Sequence, residues 1–253
     1  MKIYRKIQLL RKHIVMYFFI LILVFFCNNM YLLNNYNGNY SISFIDLIIS
    51  PEGNGILSEM GLVFPIMIVY LMFVMNYLEL DNNIYIMIRH NNRRSIWKNE
   101  IKSVVLISLV YSIIIEISSI IVSYISINII GNQVKGLDGI LDKLSVNGEV
   151  AIKIGYTYIA LVLGCIAIGS IIAYLKMMMK SKLSYLVISI FLLCDILTEK
   201  YSIVIGKMCI NLNKLANPRI ILLNFCFLTM LSFTIYFLGK DFIKSKEFLI
   251  NKI

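Results

Sequence analysis

Six apolar runs divide the chain, at roughly 14–33, 60–80, 103–126, 154–175, 183–203 and 219–239. A bilayer core needs about 20 consecutive apolar residues as a helix, and all six meet or approach that length. The pattern predicts an all-α polytopic membrane protein with six transmembrane helices in one membrane domain, 1–253. The first run follows basic residues, as a signal peptide would. No small-x-small cleavage site comes after it, and Phe25-Phe26 before Cys27 makes no lipoprotein box, so it reads as a retained span.

Lys and Arg set the orientation. With a cytoplasmic N-terminus, the inner segments (2–12, 89–102, 176–182 and 240–252) hold 17 of them and the outer segments 7. That bias places both termini in the cytoplasm. The first outer loop, 34–59, has no Lys or Arg but carries Asp46 and Glu52.

The connections differ in kind. KMMMKSK at 176–182 is a tight cationic turn. SISFIDLIIS, within 34–59, suits a short helix or strand at the outer interface. Residues 198–218, TEKYSIVIGKMCINLNKLANP, are too apolar for a solvated loop and too interrupted for a span. They read either as a re-entrant pair of short helices, which protein burial tolerates, or as a loop packed on the outer face. At the N-terminus, Lys2, Arg5, Lys6, Arg11 and Lys12 interleave with Ile3, Tyr4, Ile7, Leu9 and Leu10. This amphipathic stretch lies along the inner leaflet, sets topology by its charge, or does both.

Composition agrees: 59% of residues are hydrophobic, 15% are charged, and mean hydropathy is +0.82. A soluble domain is nearer half apolar and a quarter charged. The net charge of +10 would raise nucleic acid for a soluble protein, but here the cations gather beside spans and no nucleic-acid partner is expected. The five cysteines have no C-x-x-C or ligand-like spacing, so neither a disulfide framework nor a metal is expected, and buried thiols are.

Catalytic motifs are missing. There is no H-E-x-x-H, no G-x-S-x-G, and no phosphate loop; Gly206-Lys207 is followed by Met208 and lacks the upstream glycine. No carboxylates pair within the spans. The chain is therefore not expected to be an enzyme, nor to hold a cofactor or a nucleotide-binding domain.

One acidic residue, Glu116, lies deep in the third run, in LVYSIIIEISSIIVSYI. A charge at mid-bilayer costs roughly 2.5–3.5 kcal/mol on insertion scales, so it needs a partner or a wet cavity. It is either a polar point on a substrate path or a packing carboxyl near Ser118 or Ser119. Asp195 marks where the fifth helix meets water or turns. Ala160/Gly164 and Gly169/Ala173 form small-x-x-x-small pairs that permit close helix packing.

The densest cationic segment joins spans two and three: YIMIRHNNRRSIWKNEI, residues 85–101. It lacks Pro and Gly, which turns favour. Ile84, Ile86, Ile88, Ile96 and Trp97 give it apolar faces, while Arg89, Arg93, Arg94 and Lys98 give it a cationic side. A short helix under the membrane, exposing cations and an aromatic to the cytosol, accounts for this. So does topology-setting charge beside an interfacial tryptophan.

With that segment the whole chain resembles a type-2 permease subunit of ATP-binding-cassette transporters, and is similar to small Gram-positive permeases of peptide export or self-immunity. The resemblance rests on length, six spans, the amphipathic N-terminal elbow, the coupling helix between spans two and three, and the apolar segment between spans five and six. It implies that Arg89, Arg93, Arg94, Trp97 and Lys98 contact a separate ATPase subunit carrying the ATP and magnesium. It also implies a second permease copy or paralogue, a bacterial plasma membrane, and export of an antimicrobial peptide or other amphipathic molecule between subunits, with Glu116 a candidate lining residue. The competing readings are an accessory or sensory membrane protein that binds a peptide or lipid without transport, and a membrane enzyme acting through Glu116.

Overall fold

The computed structural model describes residues 2–35, 44–49, 56–58, 61–81, 93–130, 150–179, 181–197, 202–210, 212–215 and 217–250. The regular elements among the described residues are all helical: α1 (Lys2–Asn35), α2 (Phe44–Ile49), a π-helical turn (Leu62–Met67) running into α3 (Ile68–Asp81), α4 (Arg93–Ile130), α5 (Val150–Met178), α6 (Ser181–Leu197), α7 (Ile205–Met208), α8 (Leu212–Leu215) and α9 (Pro218–Ile250). Four stretches are long and apolar enough to cross a membrane: Val15–Leu33, Arg94–Ile129, Ile152–Met178 and Pro218–Ile243. The protein is a multi-pass helical membrane protein. The apolar parts of α3 and α6, Pro65–Val74 and Leu183–Asp195, are shorter.

α5 lies at the centre, against α4 on one side and α9 on the other. α4 and α5 are antiparallel: Glu116 meets Thr157 at one level, and Ser108 and the Cys165 carbonyl share Tyr70 at another. α1 runs parallel to α4, joined by Asn29–Ser123 near their C-terminal ends and by a Tyr17, Phe73, Tyr111 ring cluster lower down. Large apolar side chains on α1 (Phe19, Leu23, Tyr31) and α9 (Leu222, Leu223, Met230, Phe233) are exposed. Such faces suit contact with lipid tails.

Pro65 explains the π-helical turn. It has no N–H to donate, and its ring crowds the carbonyl one turn back, which a widened turn relieves. Tyr111 on α4 donates its hydroxyl to the Ile66 carbonyl at 2.5 Å, satisfying backbone beside that turn. The neighbouring Tyr70 hydroxyl donates to the Cys165 carbonyl at 2.6 Å and lies 2.8 Å from Ser108 Oγ, joining three helices.

Several expectations change. α1 is unbroken from Lys2 to Asn35, so no interruption separates the basic N-terminal segment from the first span. The fifth run, expected to 203, stops as α6 at Leu197. Asp195 holds the segment that leads into α7. Its carboxylate accepts from the Ser202 hydroxyl (2.9 Å) and from the N–H groups of Ile203 (2.5 Å), Val204 (3.0 Å) and Ile205 (2.7 Å), capping α7. Lys214 Nζ donates to the carbonyls of Cys209 (2.6 Å) and Gly206, closing the other end of α7. Met208 then sits where a side chain at Gly164 would project, so α7 is packed against the middle of α5. The apolar patch of the first outer loop is helical in α2, whose Leu47, Ile48 and Ile49 are buried. Ile56 and Leu57 donate back to the Leu47 and Ile48 carbonyls at 3.1 and 2.9 Å, folding the chain over this end of α4.

Candidate functional site

Of the residues in the cationic segment, Arg89 lies outside the described residues, together with the rest of the connection from 82 to 92. Arg93 begins α4, and Arg94 and Lys98 are exposed on its first turns. The described part is thus not a separate helix but the start of a 38-residue rod. At 1.5 Å per residue such a rod is about 57 Å long, well beyond the roughly 30 Å hydrocarbon core.

Trp97 departs most from expectation. Its side chain is 2% exposed and faces the bundle, not the cytosol. Position 97 shares a stripe with Glu100, Val104 and Ser108, all buried, whereas 94 and 98 fall on the outer side. The indole N–H donates to the Tyr236 carbonyl at 3.1 Å, and the ring stacks on Tyr236 at 6.4 Å and 21°. Gly239 leaves the space: a Cβ there would overlap the indole. Trp97 therefore clips α4 to α9 and supports the cationic surface from behind.

An ion pair stands one turn further in. Glu100 and Lys176 lie 3.6 Å apart with side chains 5–7% exposed. Lys176 also donates to the Leu78 carbonyl at 2.7 Å, tying the ends of α3 and α5 to α4. Lys176 counted as a topology-setting cation in the sequence; in the fold it is an internal cross-brace. The turn it belongs to is tight, with α5 ending at Met178 and α6 starting at Ser181.

Glu116 is enclosed between α4 and α5, 6% exposed. Thr157 Oγ1 donates to its Oε1 at 2.8 Å, while Oε2 has no hydrogen-bond partner. Ser118 and Ser119, the partners expected from sequence, donate instead to the Ile114 and Glu116 carbonyls at 2.5 and 2.8 Å. The carboxyl is thus held inside the helix bundle, between α4 and α5. Lys153, read from sequence as part of the outer loop, is in α5 one turn before Thr157 and 2% exposed. The α4–α5 register places it level with Ile120. Thr157, Lys153 and Asn29 were missed in sequence; Asn28-Asn29 inside an apolar run was the one available signal.

The small pairs on α5 do pack closely, Gly164 against Met208 and Gly169 against Tyr70 and Val104, all within one subunit. Cys165 and Cys209 are buried, whereas Cys27, Cys194 and Cys226 are exposed. Among the described residues no three His, Cys, Asp or Glu side chains gather as a metal site. Comparison with family models, curated proteins and solved structures finds no match.

Proposed function

We propose that the chain is the membrane-spanning subunit of an ATP-binding-cassette exporter, forming half of a substrate pathway and driven by a separate ATPase. The observation that carries this reading is the cationic start of α4, with Arg94 and Lys98 outward on a helix longer than a bilayer and braced from behind by Trp97 against α9. A surface that receives mechanical work needs such backing. Arg89 and Arg93 belong to the same proposed surface; Trp97 acts through its packing, not by touching the partner.

In this reading the chain crosses the membrane six times. Residues 61–81, helical on both sides of the π-helical turn, are the second crossing. α6 is the shorter fifth crossing, and α7 is re-entrant, entering the membrane as far as mid-α5. Both termini lie in the cytoplasm of a bacterial cell, as the distribution of Lys and Arg favours. Two copies, or one copy and a paralogue, complete the pathway. ATP and magnesium bind the ATPase, whose closure pushes the start of α4 and biases the bundle between two states. An antimicrobial peptide or another amphipathic molecule is the substrate class.

The test uses the tagged full-length chain purified from its own membranes. ATPase activity should be recovered with it, and recovery should fall at least about tenfold with Arg93→Glu plus Arg94→Glu. Unchanged recovery would remove the docking assignment.

A further inference from the structure

The C-terminal half of α4 carries a line of polar side chains on its buried face: Glu116, Ser119, Ser123 and Ser126, each at most 6% exposed. Their spacing of three, four and three residues keeps them on one side of the helix, over about 15 Å of rise. The elements packed on that side are polar too: Thr157 and Lys153 from α5 and Asn29 from α1 are all buried. Some of these groups are satisfied. Ser119 bonds its own helix backbone, and Asn29 Nδ2 donates to Ser123 Oγ at 3.2 Å. Three atoms are not: Glu116 Oε2, Ser126 Oγ and Asn29 Oδ1 are fully enclosed and have no hydrogen-bond partner.

An unmade hydrogen bond at a buried polar atom costs about 1–3 kcal/mol, and more for a carboxylate. In lipid-enclosed protein, bulk water cannot relieve that cost. Buried water characteristically fills such positions, where two to four polar groups converge. Packing alone would account for serines that bond their own backbone. It does not account for an asparagine, a lysine and a carboxyl gathered on the same buried face.

We propose that this half of the α4–α5–α1 interface is an internal hydrated site within a single subunit, with a file of waters running from Glu116 Oε2 past Asn29 Oδ1 to Ser126 Oγ. Its water connects Glu116 with the end of the bundle covered by α2. The site takes water and, through it, an exchangeable proton, and is too enclosed for a peptide. The charged groups on the surrounding elements are Lys153 on α5, Asp46 buried on α2, and Arg219, exposed at the start of α9. α1 brings no charged side chain over Val15–Leu33. The inference is independent of docking to an ATPase, since it concerns the other half of α4.

Hydroxyl-radical footprinting by X-ray radiolysis tests it, because the radicals form from water at the site itself. Ser119→Cys and Ser126→Cys are near-isosteric reporters in the purified full-length protein, read by peptide mass spectrometry. Ile121→Cys, on the exposed apolar face of α4, is the dry control. The two buried cysteines should oxidise at least about tenfold faster than the control. Asn29→Leu, which keeps the volume but removes the polar group, should slow Ser126→Cys oxidation at least about tenfold in protein whose melting confirms folding. If both buried positions oxidise as slowly as Ile121→Cys, the interface is dry and the proposal fails. Should Asn29→Leu fail to fold, the comparison of the three cysteines in the native background still decides.

Discussion

Trp97 occupies the volume that any side chain at residue 239 would need, so α4 and α9 meet through an indole laid over a glycine. The two residues specify one contact between helices whose members lie 142 positions apart in the chain. Gly239→Leu should destabilise by about 1–3 kcal/mol, because the added side chain must displace the ring. Trp97→Ala should cost about 3–5 kcal/mol. Combined, the two should cost less than their sum, since leucine can enter the space the indole vacates. Thermal unfolding of the purified protein measures all three, and strict additivity would contradict the contact.

Docking and packing separate within the same ten residues. Arg94→Glu and Lys98→Glu lie on the exposed side and should leave stability within about 0.5 kcal/mol of wild type while lowering ATPase recovery. Trp97→Ala should lower stability and recovery together. Charge reversals that unfold the protein would place these side chains in the core instead.

The Glu100–Lys176 pair is buried at 3.6 Å, and Lys176 also holds the Leu78 carbonyl. Lys176→Met should cost about 3–5 kcal/mol, since it leaves a carboxylate enclosed without its counter-charge. Glu100→Gln with Lys176→Met should recover part of that loss. A melting series of the single and double variants reads the coupling, and a neutral Lys176→Met would show the ion pair to be idle.

Asp195 receives four hydrogen bonds from the turn that leads into α7. Asp195→Ala should free the 202–210 segment and expose Cys209, which is 5% exposed in the native fold. Each bond to a carboxylate is worth about 1.5–3 kcal/mol, so maleimide labelling of Cys209 should accelerate at least about tenfold. The measurement uses a variant without Cys27, Cys194 and Cys226. Unchanged labelling would mean that α7 is held by Met208 and Lys214 alone.

Orientation is checked by Lys2→Cys and Ile250→Cys. Neither should react with a membrane-impermeant thiol reagent applied outside intact cells, and both should react after permeabilisation. Labelling of either from outside would reverse the proposed topology.

The helices of this protein were easier to read in the sequence than the joints between them. Lipid demands unbroken apolar length, so the runs that became α1, α4, α5 and α9 stood out directly. The fifth run was read too long because hydrophobicity does not distinguish lipid contact from protein contact. The apolar residues from Val204 to Ile210 are buried, and α7 packs against α5, α6 and α9. Cation counting treated Lys153 and Lys176 as surface charge, yet Lys153 is buried in α5, and Lys176 reaches Glu100 and the Leu78 carbonyl inside the bundle. Amphipathic spacing identified the two sides of residues 93–102, but not that the aromatic side already had an occupant. Gly239 is one glycine among 13, with nothing local to mark it as the seat of an indole. Glu116 was conspicuous by its cost, while Thr157, its partner, comes from another helix and no nearby spacing announces it.

The clip between Trp97 and Gly239 also sets what can move. A push on Arg94 or Lys98 cannot swing α4 alone, because α9 is fastened to it near that end. The outward face of α9 carries Leu222, Leu223, Met230, Phe233 and Phe237, each more than half exposed. Resistance to such a swing then comes from the packing of both helices on α5 and, on their outward faces, from hydrocarbon chains that flow around the moving pair. The thickness and fluidity of the surrounding bilayer thereby become part of the machine's stiffness.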